Sequence, residues 1–128
     1  MKIINYNKSY LFWLKYIDDQ WWENYNIDGL TIRLVVDDDN IPTGFYALRI
    51  NSNLEILHLH VQEKYRNRGY GSLLHRDILR IAKNSSITII RITIPEDNIY
   101  IPWLQSWGYR AVSLKRGKKD WYLFEKYL

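Results

Sequence analysis

The sequence predicts an α/β (α+β) domain with a mixed, largely antiparallel central sheet of six or seven strands and about four helices. Between Leu54 and Lys83 the apolar period lengthens from two to about 3.6 residues across a glycine-marked turn. A β-branched run, Ile87 to Ile94, follows, so this stretch has the pattern of a strand–helix–strand crossover. Most other strand-like runs are joined by short polar turns, the signature of antiparallel hairpins.

Taken in order, Met1 to Tyr6 reads as a first strand, and Ser9 as the N-cap of a helix over about Tyr10 to Ile17. Asp18 to Tyr25 mixes acids with aromatics, and the paired Trp21 and Trp22 read as core. They equally suit the lining of a substrate entrance, where Asp18, Asp19 and Glu23 would attract an amine. Thr31 to Val36 and Gly44 to Ile50 form a hairpin about Asp37-Asp38-Asp39-Asn40. Those three aspartates read as a solvated tip, since consecutive residues cannot all turn to one ion and no calcium-loop spacing follows. In Leu54 to Val61, period two puts Leu57, Leu59 and Val61 on one face and Glu55 on the face opposite His58 and His60. From Gly71 the helix buries Leu74, Ile78 and Ile81 with Ala82, while Arg76, Asp77, Arg80 and Lys83 occupy the complementary positions. Pro95 ends the next strand, Asn98 to Trp107 reads as a short helix closed by Gly108, and Tyr109 to Leu114 with Trp121 to Leu128 makes a last hairpin.

At 128 residues the chain is expected to form a single domain, residues 1–128. There is no cysteine, which excludes disulfides, thiolate metal sites and a thiol nucleophile. The apolar run Tyr10 to Leu14 is broken by Lys15 and Asp18 and is too short to span a bilayer, so no membrane association and a cytoplasmic location are expected.

The turn Arg66-Asn67-Arg68-Gly69-Tyr70-Gly71 delivers a strand to a helix N-terminus. The first N–H groups of a helix have no intrahelical partner and lie at the positive end of its dipole, so an anion there is stabilised. Glycines remove side chains that would hold a diphosphate away, and Lys64, Arg66 and Arg68 add mobile positive charge. A P-loop is excluded because Ser72-Leu73 follows Gly71. The dinucleotide fingerprint is excluded because Leu74 stands where a third small residue is needed.

An apolar strand, a short loop and Arg66-x-x-Gly69-x-Gly71 opening a helix resemble motif A of the GCN5-related N-acetyltransferases (GNAT). Gly44 to Leu48 resembles the strand before it, Trp103 to Tyr109 resembles motif B, and Trp121 to Lys126 is similar to the last strand of that fold. The resemblance implies a GNAT-like sheet splayed at the cofactor site, with acetyl-CoA as co-substrate. Its diphosphate would lie on Arg66, Asn67, Arg68, Gly69, Tyr70, Gly71 and Ser72, its pantetheine along Leu59, His60 and Val61, and Asn98 would lie against the pantetheine. The implied reaction is direct attack of a primary amine, from a small molecule or a peptide or protein, on the thioester. Glu55, His58 and His60 are the candidate general bases. The family's acid tyrosine, four residues before the motif B glycine, is replaced by Leu104, and Tyr100 or Tyr109 are the local hydroxyls. That replacement motivates the alternative of a catalytically silent CoA-binding or protein-interaction module. Net charge of +4 is modest and cofactor phosphates account for part of it, which argues against a nucleic-acid partner. The C-terminal strands offer an edge for a homodimer.

Overall fold

Alternation of apolar residues along the strands is satisfied on both faces of one sheet, because helices cover each side. In this computed structural model residues 1–24 and 26–128 are described, with every side chain among them except those of Asp19, Gln20 and Asn24. Tyr25 and the Asp19 side chain, both in the aromatic and acidic segment, thus lie outside the described residues.

Seven strands are found among these residues: β1 (Lys2–Asn5), β2 (Thr31–Val36), β3 (Pro42–Ile50), β4 (Leu54–Val61), β5 (Ile89–Pro95), β6 (Arg110–Lys115) and β7 (Trp121–Tyr127). They lie in the order β1-β2-β3-β4-β5-β7-β6. Every pairing is antiparallel except β4 with β5. The helices are α1 (Leu11–Asn24), α2 (Tyr70–Asn84) and α3 (Ile101–Ser106), with 3-10 turns at Lys8–Tyr10 and Glu63–Tyr65.

The residues alternate between two cores. On one face Tyr46 and Leu48 of β3, Leu54, Ile56, Leu59 and Val61 of β4, and Ile90 and Ile92 of β5 meet Leu74, Ile78 and Ala82 of α2 and Leu104 of α3. On the other face Ile32, Leu34, Val36, Phe45 and Ala47 meet Leu14, Trp21 and Trp22 of α1. The paired tryptophans are therefore core, as their composition suggested.

Three local readings are corrected by the fold. The first helix does not stop at Ile17: α1 runs to Asn24 across a kink at Asp18, whose φ −156° and ψ 79° are non-helical. Asn7, rather than Ser9, supplies the cap, accepting the Ser9 N–H at the 3-10 turn that leads into α1. Asp77 is not a solvated position on α2. Its carboxylate accepts a hydrogen bond from the Tyr46 hydroxyl and pairs with Arg33 and Arg80, which ties α2 to β2 and β3.

The fourth correction sets up the site. Ala47 pairs with His58 but its neighbour Leu48 pairs with Ile56, so Leu57 is an extra residue in β4, a β-bulge. The bulge resets the alternation, and Leu54 and Ile56 before it share a face with Leu59 and Val61 after it. Glu55, His58 and His60 consequently fall on the same, α1-side face, and Leu57 does not belong with Leu59 and Val61. The cause is one inserted residue, to which period-two reasoning is blind.

His75 of α2 is buried, stacked on Trp107 at 4.3 Å, and its Nε2 is 3.0 Å from the Tyr109 hydroxyl. Burial pushes its imidazole down to about 4. An unfolded chain protonates this histidine near its ordinary 6.5, so the native state binds fewer protons between those values and loses stability as pH falls through them. The loss is about 3 kcal/mol at most. Melting curves from pH 7 to 4 should show a falling transition temperature, and His75→Phe, less stable at pH 7, should flatten the fall; an unchanged slope would show that His75 does not carry it.

Candidate active site

Beta-strands four and five pair over only Leu54–Ile56 against Ile90–Ile92, although each continues beyond. Past that point they part, and a cleft of about 540 Å³ opens between them. One wall is Leu57 to His60 of β4, the other Ile92 to Pro95 of β5, with Asp18 and Trp21 of α1 and Asn98, Tyr100 and Leu104 at its ends. Backbone groups that a neighbouring strand would satisfy are left facing this space. Gln62 N–H bonds to Thr43 of β3, whereas Val61 N–H is 3.3 Å from the Tyr100 hydroxyl across the opening. Alternation of the ladder then points the Leu59 N–H the same way as that of Val61.

Below the cleft lies the start of α2. Gly69 occupies its N-cap at φ +90°, a conformation that glycine adopts without penalty, and no side chain caps the helix. The first helical bond runs from Leu73 N to Gly69 O, so the N–H groups of Tyr70, Gly71 and Ser72 precede the ladder. A hollow of about 180 Å³ lies here, lined by Asn67, Gly69, Gly71, Ser72, Trp103, Ser106 and Trp107. A Cβ on Gly71 would stand 3.1 Å from the Trp103 ring, so glycine there also admits α3. Helix dipole, free donors and exposed Arg68 suit the hollow to a phosphate.

Arg66 has a structural role beside the mobile charge expected of it. Its Nε donates to the Val61 carbonyl at 2.9 Å and its guanidinium lies over the Tyr100 ring at 5.6 Å. It pins the turn to the end of β4. Asn98 likewise turns its Oδ1 to the Tyr100 N–H at 2.8 Å while lining the cleft.

At the other end of the cleft three polar side chains converge. Asp18 Oδ2 is 2.8 Å from His58 Nε2 and 4.0 Å from His60 Nδ1. The kink in α1 turns this carboxylate towards β4, and the Trp21 N–H holds its second oxygen, Oδ1, at 3.3 Å. The hydrogen bond from His58 holds the Asp18 carboxyl below its ordinary range. Burial, then the neighbouring His58, lowers the His60 imidazole to about 4, so it is neutral at pH 7. Trp21 stacks on His58 with centroids 5.1 Å apart, which fixes the ring.

Glu55 is not part of this group. Although the bulge brings it to the same face, it lies at the start of β4, half-exposed, 3.6 Å from Arg49, and outside the cleft lining. Tyr109 is removed as a hydroxyl donor to the cleft by its burial against His75. Tyr100 keeps its place, its hydroxyl between the Val61 N–H and, at 3.5 Å, the Val61 carbonyl. Leu104 is fully buried and lines the cleft. Sequence reasoning singled out Asp18 only as surface charge near an entrance; the helix break that aims it at two histidines has no glycine or proline to announce it.

A hollow suited to an anion and a cleft holding a cluster of two imidazoles and a carboxylate make an arrangement that suits group transfer. The acetyltransferase (GNAT) family model matches residues 4–117. This chain belongs to the acetyltransferase (GNAT) family. Among curated protein sequences none matches it. Among solved structures it is similar to a GNAT family acetyltransferase from Elizabethkingia anophelis with acetyl-CoA bound, at TM-score 0.82 and 20% identity, covering 99% of this chain and 97% of that one. It is similar to the ribosomal-protein-alanine N-acetyltransferase from Brucella melitensis at TM-score 0.80 and 17% identity, over 100% of both chains. It is also similar to the ribosomal-protein-S18-alanine N-acetyltransferase from Escherichia coli at TM-score 0.82 and 12% identity, over 97% of this chain and 91% of that one. At such identities these likenesses establish the shared fold.

If Arg66 holds the turn through Val61 and Tyr100, Arg66→Lys should lose about 1–2 kcal/mol of stability with its hydrogen bond and stacked plane. Exposed Arg68→Lys should stay within about 0.5 kcal/mol. Urea unfolding of the two variants beside the parent measures this; equal effects would refute a structural role for Arg66.

Proposed function

We propose that this protein is an N-acetyltransferase that moves the acetyl group of acetyl-CoA to a primary amine by direct attack. The observation that carries the reading is the juxtaposition, in one cleft, of inward-facing β4 N–H groups with the Asp18–His58–His60 cluster. Acetyl-CoA supplies an activated acyl group on a thiol leaving group. The α2 N-terminus, with Asn67, Arg68 and Ser72, takes the diphosphate. Leu59 to Val61 align the pantetheine along β4, in the place where β5 has moved away, with Asn98 alongside. The Leu59 N–H polarises the thioester carbonyl and holds the charge that develops on its oxygen, a stabilisation that depends on backbone position alone.

The incoming amine is mostly protonated in solution and must lose a proton to attack. His58 takes it, because among the described residues His58 is the histidine of the cleft with a carboxylate within hydrogen-bonding distance to stabilise the imidazolium that forms. In the tautomer that donates Nε2–H to Asp18, Nδ1 carries the accepting lone pair. His60, neutral beside it, accepts a hydrogen bond from the amine. Tyr100 donates a proton at the thiol end in place of the tyrosine that Leu104 replaces. Asp18 and the aromatic wall of Trp21 suit a cationic acceptor, either a small molecule or a peptide amine. The cytoplasm is the proposed setting; among the described residues no helix is long and apolar enough to cross a membrane.

A silent CoA-binding module is the second reading, favoured by Leu104, and the two readings separate on release of free CoA. His58→Gln should lower kcat about 10²-fold in an amine-panel assay of thiol release, while Glu55→Gln should leave it within about twofold. No thiol release above background with any amine would favour the silent module.

Saturating acetyl-CoA should raise the melting temperature by a few degrees, and Ser72→Glu should abolish the shift by setting a negative charge in the hollow. Ser72 is exposed in the first turn of α2, where an acidic residue does not disturb the helix, so loss of the shift would report binding rather than unfolding. No shift in the parent would refute the cofactor assignment.

A further inference from the structure

We propose that Asp18, His58 and His60 also form a Zn²⁺-binding site, and that occupation of this site switches the cleft off. The inference goes beyond acetyl transfer, and its metal readout does not depend on that reading. One ligand atom from each of Asp18, His58 and His60 lies within 4.8 Å of the other two. Bonds of about 2.0–2.2 Å to zinc put tetrahedral ligand atoms roughly 3.3 Å apart. The spacings of 2.8 Å and 4.0 Å from Asp18 bracket that value, so small side-chain rotations close the site.

The scaffold favours such a closure. His58 and His60 are two residues apart on one strand face, their rings 9° from parallel with centroids 5.8 Å apart, and Trp21 backs the first of them. The third ligand comes from a separate element, and its orientation is set by the bond between Oδ1 and the Trp21 N–H, which leaves Oδ2 turned to both imidazoles. Hydrogen bonds of this kind to a ligand's second atom orient metal sites generally. Two imidazoles and one carboxylate suit zinc, which accepts nitrogen and oxygen donors without a geometric preference of its own. The fourth position faces the cleft, where water completes the shell.

Occupation and catalysis exclude each other. Coordination through Nε2 of His58 takes the place of its hydrogen bond to Asp18 and moves the ring proton to Nδ1. The lone pair that would accept the amine proton is then gone, and the positive ion repels a cationic acceptor.

Untagged full-length protein, freed of metal with a chelator, is titrated with Co²⁺ as a spectroscopic probe for the zinc site. The expected result is one equivalent bound with the intense visible bands of a tetrahedral ion, reversed by one equivalent of Zn²⁺. The chain has three histidines and the third, His75, is buried against Trp107, so it does not compete. His58→Ala, His60→Ala and Asp18→Asn should each weaken binding by about 100-fold or more, since even supporting residues are worth 10–100-fold. Melting curves confirm that each variant is folded, and the near-isosteric Asp18→Asn keeps the test decisive if a histidine variant is not. Absence of the bands up to about 1 mM Co²⁺, or bands unchanged in Asp18→Asn, would overturn the proposal. In the thiol-release assay, Zn²⁺ should inhibit the parent over the concentration range in which it displaces Co²⁺; inhibition only far above that range would contradict the switch.

Discussion

The structure turns on how briefly β4 and β5 stay together. Parallel strands joined through a helix normally share a continuous ladder, but here the shared ladder is three residues long on each side. Unpaired backbone in an interior is costly unless something takes its hydrogen bonds. Beyond Ile56 the Val61 N–H meets the Tyr100 hydroxyl at 3.3 Å, a long contact that a better acceptor can replace. An opening in the middle of a sheet, lined by strand backbone that has no neighbouring strand beyond Ile56, suits an extended ligand, and residues of α1 share its lining.

The same parting is supported from both faces. On the α2 side, Leu54, Ile56, Leu59 and Val61 remain anchored in one core because the bulge at Leu57 absorbs the change of phase. On the α1 side, the phase change brings His58 and His60 over the aromatic core of Trp21, Trp22 and Phe45. Phe45 packs against both histidine rings. A polar cluster is thereby held in a rigid setting, with the Asp18 carboxylate as its counter-charge. The first twist of α1 at Asp18 is what allows one helix both to bury Leu14 and Trp22 and to present a carboxylate to the strand.

Much of this was legible in the residues. Strands β2 and β4 have the bounds that β-branched content and the Asp37–Asn40 turn imply, since there local propensity and burial agree. Tyr70 to Asn84 declares itself by a strong helical period. What stayed hidden depends on long-range geometry. The second limb of α1 carries Trp21 and Trp22 at adjacent positions, which gives no clean helical stripe. The Leu57 bulge is invisible because every residue around it is strand-compatible. Arg66 reads in sequence as charge beside the turn, and the fold adds the bond from its Nε to the Val61 carbonyl. Asp18 could be named as charge but not as a partner, since His58 lies forty positions away.

The most direct test of the account is amide hydrogen exchange at Leu59 and Val61, followed by NMR with and without acetyl-CoA. If the parted strands receive the pantetheine, both amides should exchange quickly in the free protein and become strongly protected when the cofactor binds, while Leu54 and Ile56, already in the core ladder, should change little. Protection confined to the α2 turn, with Leu59 and Val61 unaltered, would contradict the claim that the opening between β4 and β5 is where the acyl group is held.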